Sequence, residues 1–541
     1  MEFSEHIKTA NVEDVVLRRP FHPPTKGTLC VTGHHLIFSN RGGDSALELL
    51  LRNIDAIEKR PSASSGTITL KCKDLRVLQL DIPGMEECLN VASSIEFLSS
   101  LETVSEMYPF FYRPPGLSLQ DQWGLSSTEQ RYTQMKEISS NRPVQRVRWR
   151  LSHVNRDYAV CPSYPPDVIV PHSVDDETLA KVARFRQGGR FPVLCYYHRK
   201  TDTVIMRSSQ PLTGANKKRC KEDELLLQAV IDGSELGYII DTRSNQQAQQ
   251  ARMTGGGFES KSFYKGWKRL HRQLDKGKVL QESLTKLVEA CGDHSHSVDR
   301  WLSKLENSKW LSHVQTALST AGLLAECVER DGHSVLVHGS EGTDMTLLVS
   351  SLAQLILDPG SRTLAGFLGL LEKEWVQAGH PFHQRCTHSA YSHVRLRHEA
   401  PVFVLLLDCV WQLARQFPLA MGFSEPLLLR LAKEVYASEY GTFLCNSDQE
   451  RCVTGVKERT HCLFRFLLRP GERQRYFNPL YEPNELAIWP SVQPPSLELW
   501  KGLFLQWTDD ALHLVEAQEM IQNLVNRCRW DLGDEVENPD G

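Results

Sequence analysis

Residues 338–346 read HGSEGTDMT, and they follow a short apolar run, Ser334 to Val337. A strand that runs through a small polar loop into a helix can hold an anion: backbone N–H groups point into the loop, and the helix dipole favours negative charge. The candidate loop comprises His338, Gly339, Ser340, Glu341, Gly342, Thr343, Asp344, Met345 and Thr346, with a helix expected to begin near Met345. One design for phosphate-ester cleavage places a Cys at the strand end and an Arg where the helix starts. The N–H groups stabilise the thiolate. The guanidinium forks two donors onto the phosphoryl oxygens and stabilises the transition state. Here those two places hold Gly339 and Met345. Ser340 has a hydroxyl but no evident base, and Asp344 is an acid with neither nucleophile nor charge clamp. Cys327 lies upstream in a helical pattern and reads as core. No residue is assigned a catalytic role. The loop is not a Walker cradle, because GK[ST] is absent.

The elements that must position this loop form a layered α/β domain. Strand-like runs (191–198, 203–211, 237–243, 334–339) alternate with helical segments at 222–233, 278–291 and 301–329. The chain beyond Leu347 reads as mostly helical to about Phe443, and the apolar stretch 401–414 reads as a buried helix too short to span a bilayer. Trp301, Trp310, Trp375 and Trp411 fall on helical patterns and read as core. Ahead of this domain, residues 1–110 form a β-rich module with strand-length runs at 28–39, 47–60, 66–73 and 76–82. A helix over 85–101, with Cys88, Val91, Ile95 and Leu98 on one face, closes it as a small barrel or sandwich. Residues 111–148 are polar and read as a linker. In the tail, 508–541, Leu514, Ala517, Ile521, Leu524 and Cys528 follow a 3-4 spacing for about two heptads. They are the candidate partner-binding residues.

The chain of 541 residues carries a net charge of −4, which argues against a dedicated nucleic-acid binder. The basic run KKRCK (217–221) is followed directly by EDE and reads as a solvated loop. Its 14 Cys lack paired CxxC spacing and read as reduced, mostly buried thiols. His34–His35, and Cys291 with His294 and His296, are too sparse for a metal site, so neither metal nor cofactor is expected. The N-terminus MEFSEHIKTA is not a signal peptide. A cytoplasmic protein with at most peripheral contact with endomembranes is expected.

The loop HGSEGTDMT resembles that of the myotubularin family of phosphoinositide 3-phosphatases, whose active members carry HCSDGWDRT. His338, Ser340, Gly342, Asp344 and Thr346 match; Gly339 and Met345 stand in the nucleophile and arginine places, and Glu341 and Thr343 also differ. FRQGGRFPVLCYYH (185–198), SSQPLTG (208–214), DTRS (241–244), GGGFE (255–259), LEKEWVQAGHPFHQRC (371–386), LLLDCVWQLARQFP (405–418), YGTFLCN (440–446) and FNPLY (477–481) are similar to successive pieces of that family's domain. IPGMEECLN (82–90), YPFFYRP (108–114) and CPSYPP (161–166) resemble an inactive member in particular. The resemblance implies an α+β multidomain protein: a PH-GRAM module (1–110), a linker, a cysteine-phosphatase-like α/β domain (149–507) without activity, and a short coiled-coil-like tail. It implies an adaptor that binds active myotubularin-related phosphatases (members six, seven and eight), or a second copy of itself, and raises the partner's activity or stability, with effects on endosomal traffic and autophagy. The alternative is a phosphoinositide-binding membrane module that acts without a phosphatase partner.

Overall fold

A computed structural model describes residues 3–507 apart from 41–44, 120–122, 141–147, 232–235, 294–296 and 393–397. The chain divides into two compact units, one of Met1–Ser100 with Cys291–Ser295 and the stretch from Leu499, the other of Leu101–Ala290 and His296–Glu498.

The first unit is a seven-stranded antiparallel sheet in the order β4-β3-β2-β1-β7-β6-β5. Its strands are β1 (Asn11–Arg18), β2 (Thr25–Val31), β3 (His35–Asn40), β4 (Ser45–Leu50), β5 (Ile54–Pro61), β6 (Ser65–Cys72) and β7 (Val77–Pro83). The helix Met85–Ser99 closes it and buries Cys88, Val91, Ile95 and Leu98, the face its spacing predicts. Two sequence runs each split in two: 28–39 is the hairpin β2–β3, and 47–60 is β4 and β5 around a 3-10 turn, Leu51–Asn53. Strand β1 has no counterpart in the sequence reading. A bulge between Val12 and Val15, with Asp14 at φ 58°, adds one residue and breaks the alternation of its buried positions. Residues 499–507 belong to this unit, not to the larger one. Trp507 donates its indole N–H to Asp74 O (2.8 Å), and the Arg76 guanidinium lies 4.4 Å from the Trp507 ring.

The second unit is built on a five-stranded sheet in the order β10-β11-β14-β12-β13, with a two-stranded ribbon, β8 (Trp149–Ser152) and β9 (Val168–Pro171), nearby in sequence. The sheet's strands are β10 (Val193–His198), β11 (Thr203–Arg207), β12 (Gly237–Asp241), β13 (Trp267–His271) and β14 (Ser334–His338). Only β10 runs antiparallel. Every residue of β11 and of β14 is buried, as a parallel sheet covered on both faces requires. The ribbon and β13 were not visible as strands in the sequence; WKRLH has no apolar alternation because β13 lies at a sheet edge. The polar stretch 111–148 is not a bare linker. It contains a helix, Thr128–Ser140, whose Met135 joins the core, and the N–H groups of Leu125 and Ser126 donate to the Glu372 carboxylate at 2.7 and 3.2 Å.

The helix expected over 301–329 is broken. Lys309, in the left-handed conformation at φ 62°, separates Val298–Ser308 from Trp310–Glu329. The break resets the helical phase so that Trp310 is wholly buried and its indole N–H meets Asp408 at 2.7 Å. Trp375 is equally buried, while Trp301 and Trp411 are only partly so. Asp408 sits in the buried helix Val402–Gln416. Burial pushes its carboxyl up to about 6, against the lowering effect of hydrogen bonds from Trp310 and Gln412. A raised carboxyl favours the fold when protonated. Its contribution is therefore full below the unfolded value near 3.8 and is lost as the pH rises through about 6. The stability of the wild-type protein relative to Asp408→Asn is expected to fall by about 2–3 kcal/mol between about pH 4 and pH 7. Denaturant unfolding at both pH values checks this, and a constant difference would refute it.

Candidate functional site

The centre of the larger sheet positions the loop. Strand β14 lies between β11 and β12, so its carboxyl end opens where parallel α/β sheets place ligands. Thr242 N–H donates to His338 O (2.9 Å) and Ser208 N–H to Val337 O (3.1 Å), so all three strand ends are tied together. The helix Met345–Leu357 follows, and every one of its residues is buried.

The loop's carbonyls are held from within the fold. Gln210 N–H donates to Ser340 O (3.1 Å), Arg190 Nη2 donates to Gly342 O (2.8 Å), and His380 Nδ1 meets Thr343 O at 3.0 Å. Among the described residues, no protein acceptor meets the N–H groups of 340–344, which leaves them open to an anion. Gly342 has φ 75°, and a Cβ there would lie 2.4 Å from Ser208 O, so no other residue fits without backbone movement.

Beneath the loop runs a buried ionic chain. His338 Nε2 meets Glu259 Oε2 at 2.9 Å, and Glu259 Oε1 accepts from Arg186 Nη1 at 2.8 Å. Arg186 forks onto both oxygens of Asp223 (2.8 and 2.7 Å), which also accepts from the Tyr264 hydroxyl (2.7 Å). Burial works to raise the Glu259 carboxyl, but His338 and Arg186 outweigh it and hold it far below the usual range. Its stabilising contribution is therefore present at neutral pH and declines as the pH falls below about 4.5.

At the loop's far end Asp344 is clamped. Arg385 donates to it (Nη2–Oδ2 2.9 Å), and His380 Nδ1 lies 3.3 Å from Oδ1. Burial would raise this carboxyl too, yet the His380 hydrogen bond and the Arg385 charge hold it well down. A carboxylate so held keeps its negative charge at neutral pH and has no proton to give. At position 339 a Cβ would come within 2.4 Å of Thr242 Oγ1, so a larger residue there requires the Thr242 side chain to shift. Met345 is 4% exposed and presents a thioether where a charge clamp would stand. The Ser340 hydroxyl has no side chain within hydrogen-bonding distance among the described residues. Cys327 is buried in the helix Trp310–Glu329, and burial pushes its thiol up to about 12.

A cleft of about 460 Å³ opens over the loop, lined among others by Arg190, Lys276, Glu341, Asp344, Arg385 and His398. Two of its three Lys and Arg side chains are engaged by the fold. Arg190 serves Gly342 O, Ser163 and Ala378 O, while Arg385 serves Asp344 and His398 O. Glu341 adds a further carboxylate at the mouth.

The structure thus brings all nine loop residues together and starts the helix at Met345. Leu514, Ala517, Ile521, Leu524 and Cys528 lie outside the described residues. Sequence spacing gave no role to Arg186, Arg190, Glu259, His380 or Arg385. Each sits inside one of the segments quoted above for the family resemblance, and that was the available signal.

The comparisons with known proteins agree with this geometry. A profile described as a myotubularin-like phosphatase domain matches residues 107–452, and one described as the GRAM domain of MTMR6-9 matches 11–99. Myotubularin-related protein 9 of Mus musculus is 55% identical over 97% of this chain and 95% of its own length. The Homo sapiens phosphatidylinositol-3-phosphate phosphatase MTMR7 is 35% identical over 92% of this chain and 76% of its own. The Homo sapiens phosphatidylinositol-3,5-bisphosphate 3-phosphatase MTMR6 is 34% identical over 94% and 82%.

Proposed function

The chain belongs to the myotubularin family, and from that premise we propose that it is a catalytically silent member, an adaptor that binds active myotubularin-related phosphatases and raises their activity or stability. One observation carries this reading. The cradle is kept in full, with its N–H groups free and its carbonyls anchored, while the nucleophile place holds Gly339 and the clamp place holds the buried, uncharged Met345. A thiolate and a guanidinium each supply several kcal/mol of transition-state stabilisation in chemistry of this kind. No neighbouring group replaces either, since Ser340 lacks a base and Asp344 is locked in its anionic form. What the loop still does is structural: it joins a buried strand to a buried helix.

The family setting supplies the partner class. Relatives similar along most of this chain are named as phosphatases acting on phosphatidylinositol 3-phosphate and phosphatidylinositol 3,5-bisphosphate. An adaptor for such enzymes works in the cytoplasm and at endomembranes, and its loss would be felt in endosomal traffic and autophagy. The alternative, a phosphoinositide-binding membrane module acting without a phosphatase partner, draws little support from this cleft, where Arg190 and Arg385 are already engaged by the fold and Lys276 is left.

The test is phosphate release from phosphatidylinositol 3-phosphate by an active relative, with and without this protein, each also assayed alone. The expected result is silence from this chain alone and a saturable rise of about fivefold in the mixture, the size of an ordinary coupling between sites. No rise with any of the three members six, seven and eight, together with failure to co-purify, would refute the adaptor reading.

A further inference from the structure

The run KKRCK (217–221) looks, in the sequence, like a basic loop neutralised by the acidic trio Glu222, Asp223 and Glu224. The fold undoes part of that neutralisation, although Glu222 stays part-exposed, 3.9 Å from Lys181. Asp223 turns inward to Arg186 and is fully buried, and Glu224 is taken by Arg219 at 2.7 and 2.8 Å. Lys217, Lys218 and Lys221 remain exposed, with no carboxylate partner among the described residues.

A second basic segment lies against the first. Gly214 N–H donates to Gly256 O (2.9 Å), the Arg219 guanidinium stacks 4.2 Å from the Phe263 ring, and Tyr264 reaches back to Asp223 (2.7 Å). Lys261 and Lys265 are exposed on this second segment and are likewise unpaired among the described residues. Together, residues 213–221 and 251–265 hold seven Lys and Arg and one carboxylate, the buried Glu259. This concentration sits in a chain whose net charge is −4. Three large apolar side chains stand exposed in and beside it: Phe263 at 41%, Met253 at 70% and Leu225 at 63%.

We propose that this face, formed by 213–221 and 251–265, docks the protein on an anionic phospholipid bilayer. Clustered lysines are drawn to the negative surface potential of such a membrane, and each contributes while it stays within a Debye length of it. Exposed aromatic and aliphatic side chains among the charges can enter the headgroup region and hold the protein there. Apolar tips of this kind favour a bilayer over a polyanion such as RNA. The face also adjoins the silent loop: Gln210 donates N–H to Ser340 O and accepts Gly257 N–H at 3.1 Å through its side chain. The proposal does not depend on any phosphatase partner.

The experiment uses the purified full chain in vesicle flotation, with vesicles of phosphatidylcholine alone or with about 30% phosphatidylserine, the anionic composition such surfaces require. Binding is expected to the anionic vesicles only and to weaken with added salt. A variant carrying Lys217→Glu, Lys218→Glu, Lys261→Glu and Lys265→Glu is expected to bind at least about tenfold less. A charge-matched control, Lys286→Glu, Arg300→Glu, Lys304→Glu and Lys309→Glu, is expected to bind like wild type. Thermal unfolding confirms that each variant is folded; the pair Lys217→Gln and Lys218→Gln, both exposed, serves if the fourfold variant is not. Free inositol hexakisphosphate, which carries phosphate without a bilayer, is expected not to displace vesicle-bound protein fully, because it cannot satisfy the apolar tips. Absence of vesicle binding, binding that the reversed lysines leave unchanged, or capture of single-stranded RNA in place of vesicles would overturn the proposal.

Discussion

Arg186→Leu is expected to destabilise the larger unit by about 3–5 kcal/mol, the cost of leaving buried charge without its partner. Arg186 is 1% exposed and holds two carboxylates, Asp223 and Glu259, that are buried as deeply. Among the described residues, removing it leaves the Tyr264 hydroxyl as the side-chain partner of Asp223 and His338 as that of Glu259. Thermal unfolding followed by circular dichroism reads the loss. The double variant Arg186→Leu with Asp223→Leu is expected to recover part of it, because one stranded charge goes with the arginine. An unchanged midpoint in Arg186→Leu would show that the chain beneath the loop is not what holds it. The same chain gives His338 a role that needs no catalysis. That imidazole is a link in the support of strand β14, so its loss would lower fold stability whatever the state of the chemistry.

Gly339→Cys combined with Met345→Arg is expected to release phosphate from phosphatidylinositol 3-phosphate at least about a hundredfold faster than wild type, while either change alone stays silent. One oxyanion-type donor removed from a working site commonly costs about a hundredfold or more, and here two groups that act as a unit are missing. On the cysteine side the fold must give way slightly. A Cβ at 339 would meet Thr242 Oγ1 at 2.4 Å, so the buried Thr242 side chain must shift to admit it. An arginine introduced in place of Met345 would begin the helix beside an Asp344 that Arg385 and His380 already hold in place. A folded double variant with no release would shift the cause of silence to Glu341 and Thr343, the other two departures within the loop.

How much of this could be seen in the sequence depended on whether the information was local. The loop was legible because its glycines, small residues and flanking apolar runs lie within one stretch of chain. The helix Met85–Ser99 was legible because one face repeats at helical spacing. Strand β1 was hidden by a single extra residue at Asp14, which shifts the inward face by one position halfway along. Strand β13 was hidden because an edge strand needs no regular apolar pattern. The helix within 111–148 was hidden because its partners, the core around Met135 and the Gln377 side chain that Arg131 reaches, are remote in sequence. The groups that hold the loop share that remoteness: Arg385 meets Asp344 across 41 residues and Glu259 meets His338 across 79. Family resemblance pointed to the segments that carry them but not to which atoms meet. The run at 217–221 has a related feature, since a charge count along the chain cannot tell an outward glutamate from the buried Asp223.

Trp507 is pinned to the turn at Asp74 and Arg76. The chain therefore continues past it from a fixed hook on the β-rich unit, not from the phosphatase-like one. Any tension applied beyond that hook is delivered first to the β6–β7 hairpin, as a tow rope loads the eyelet before the hull.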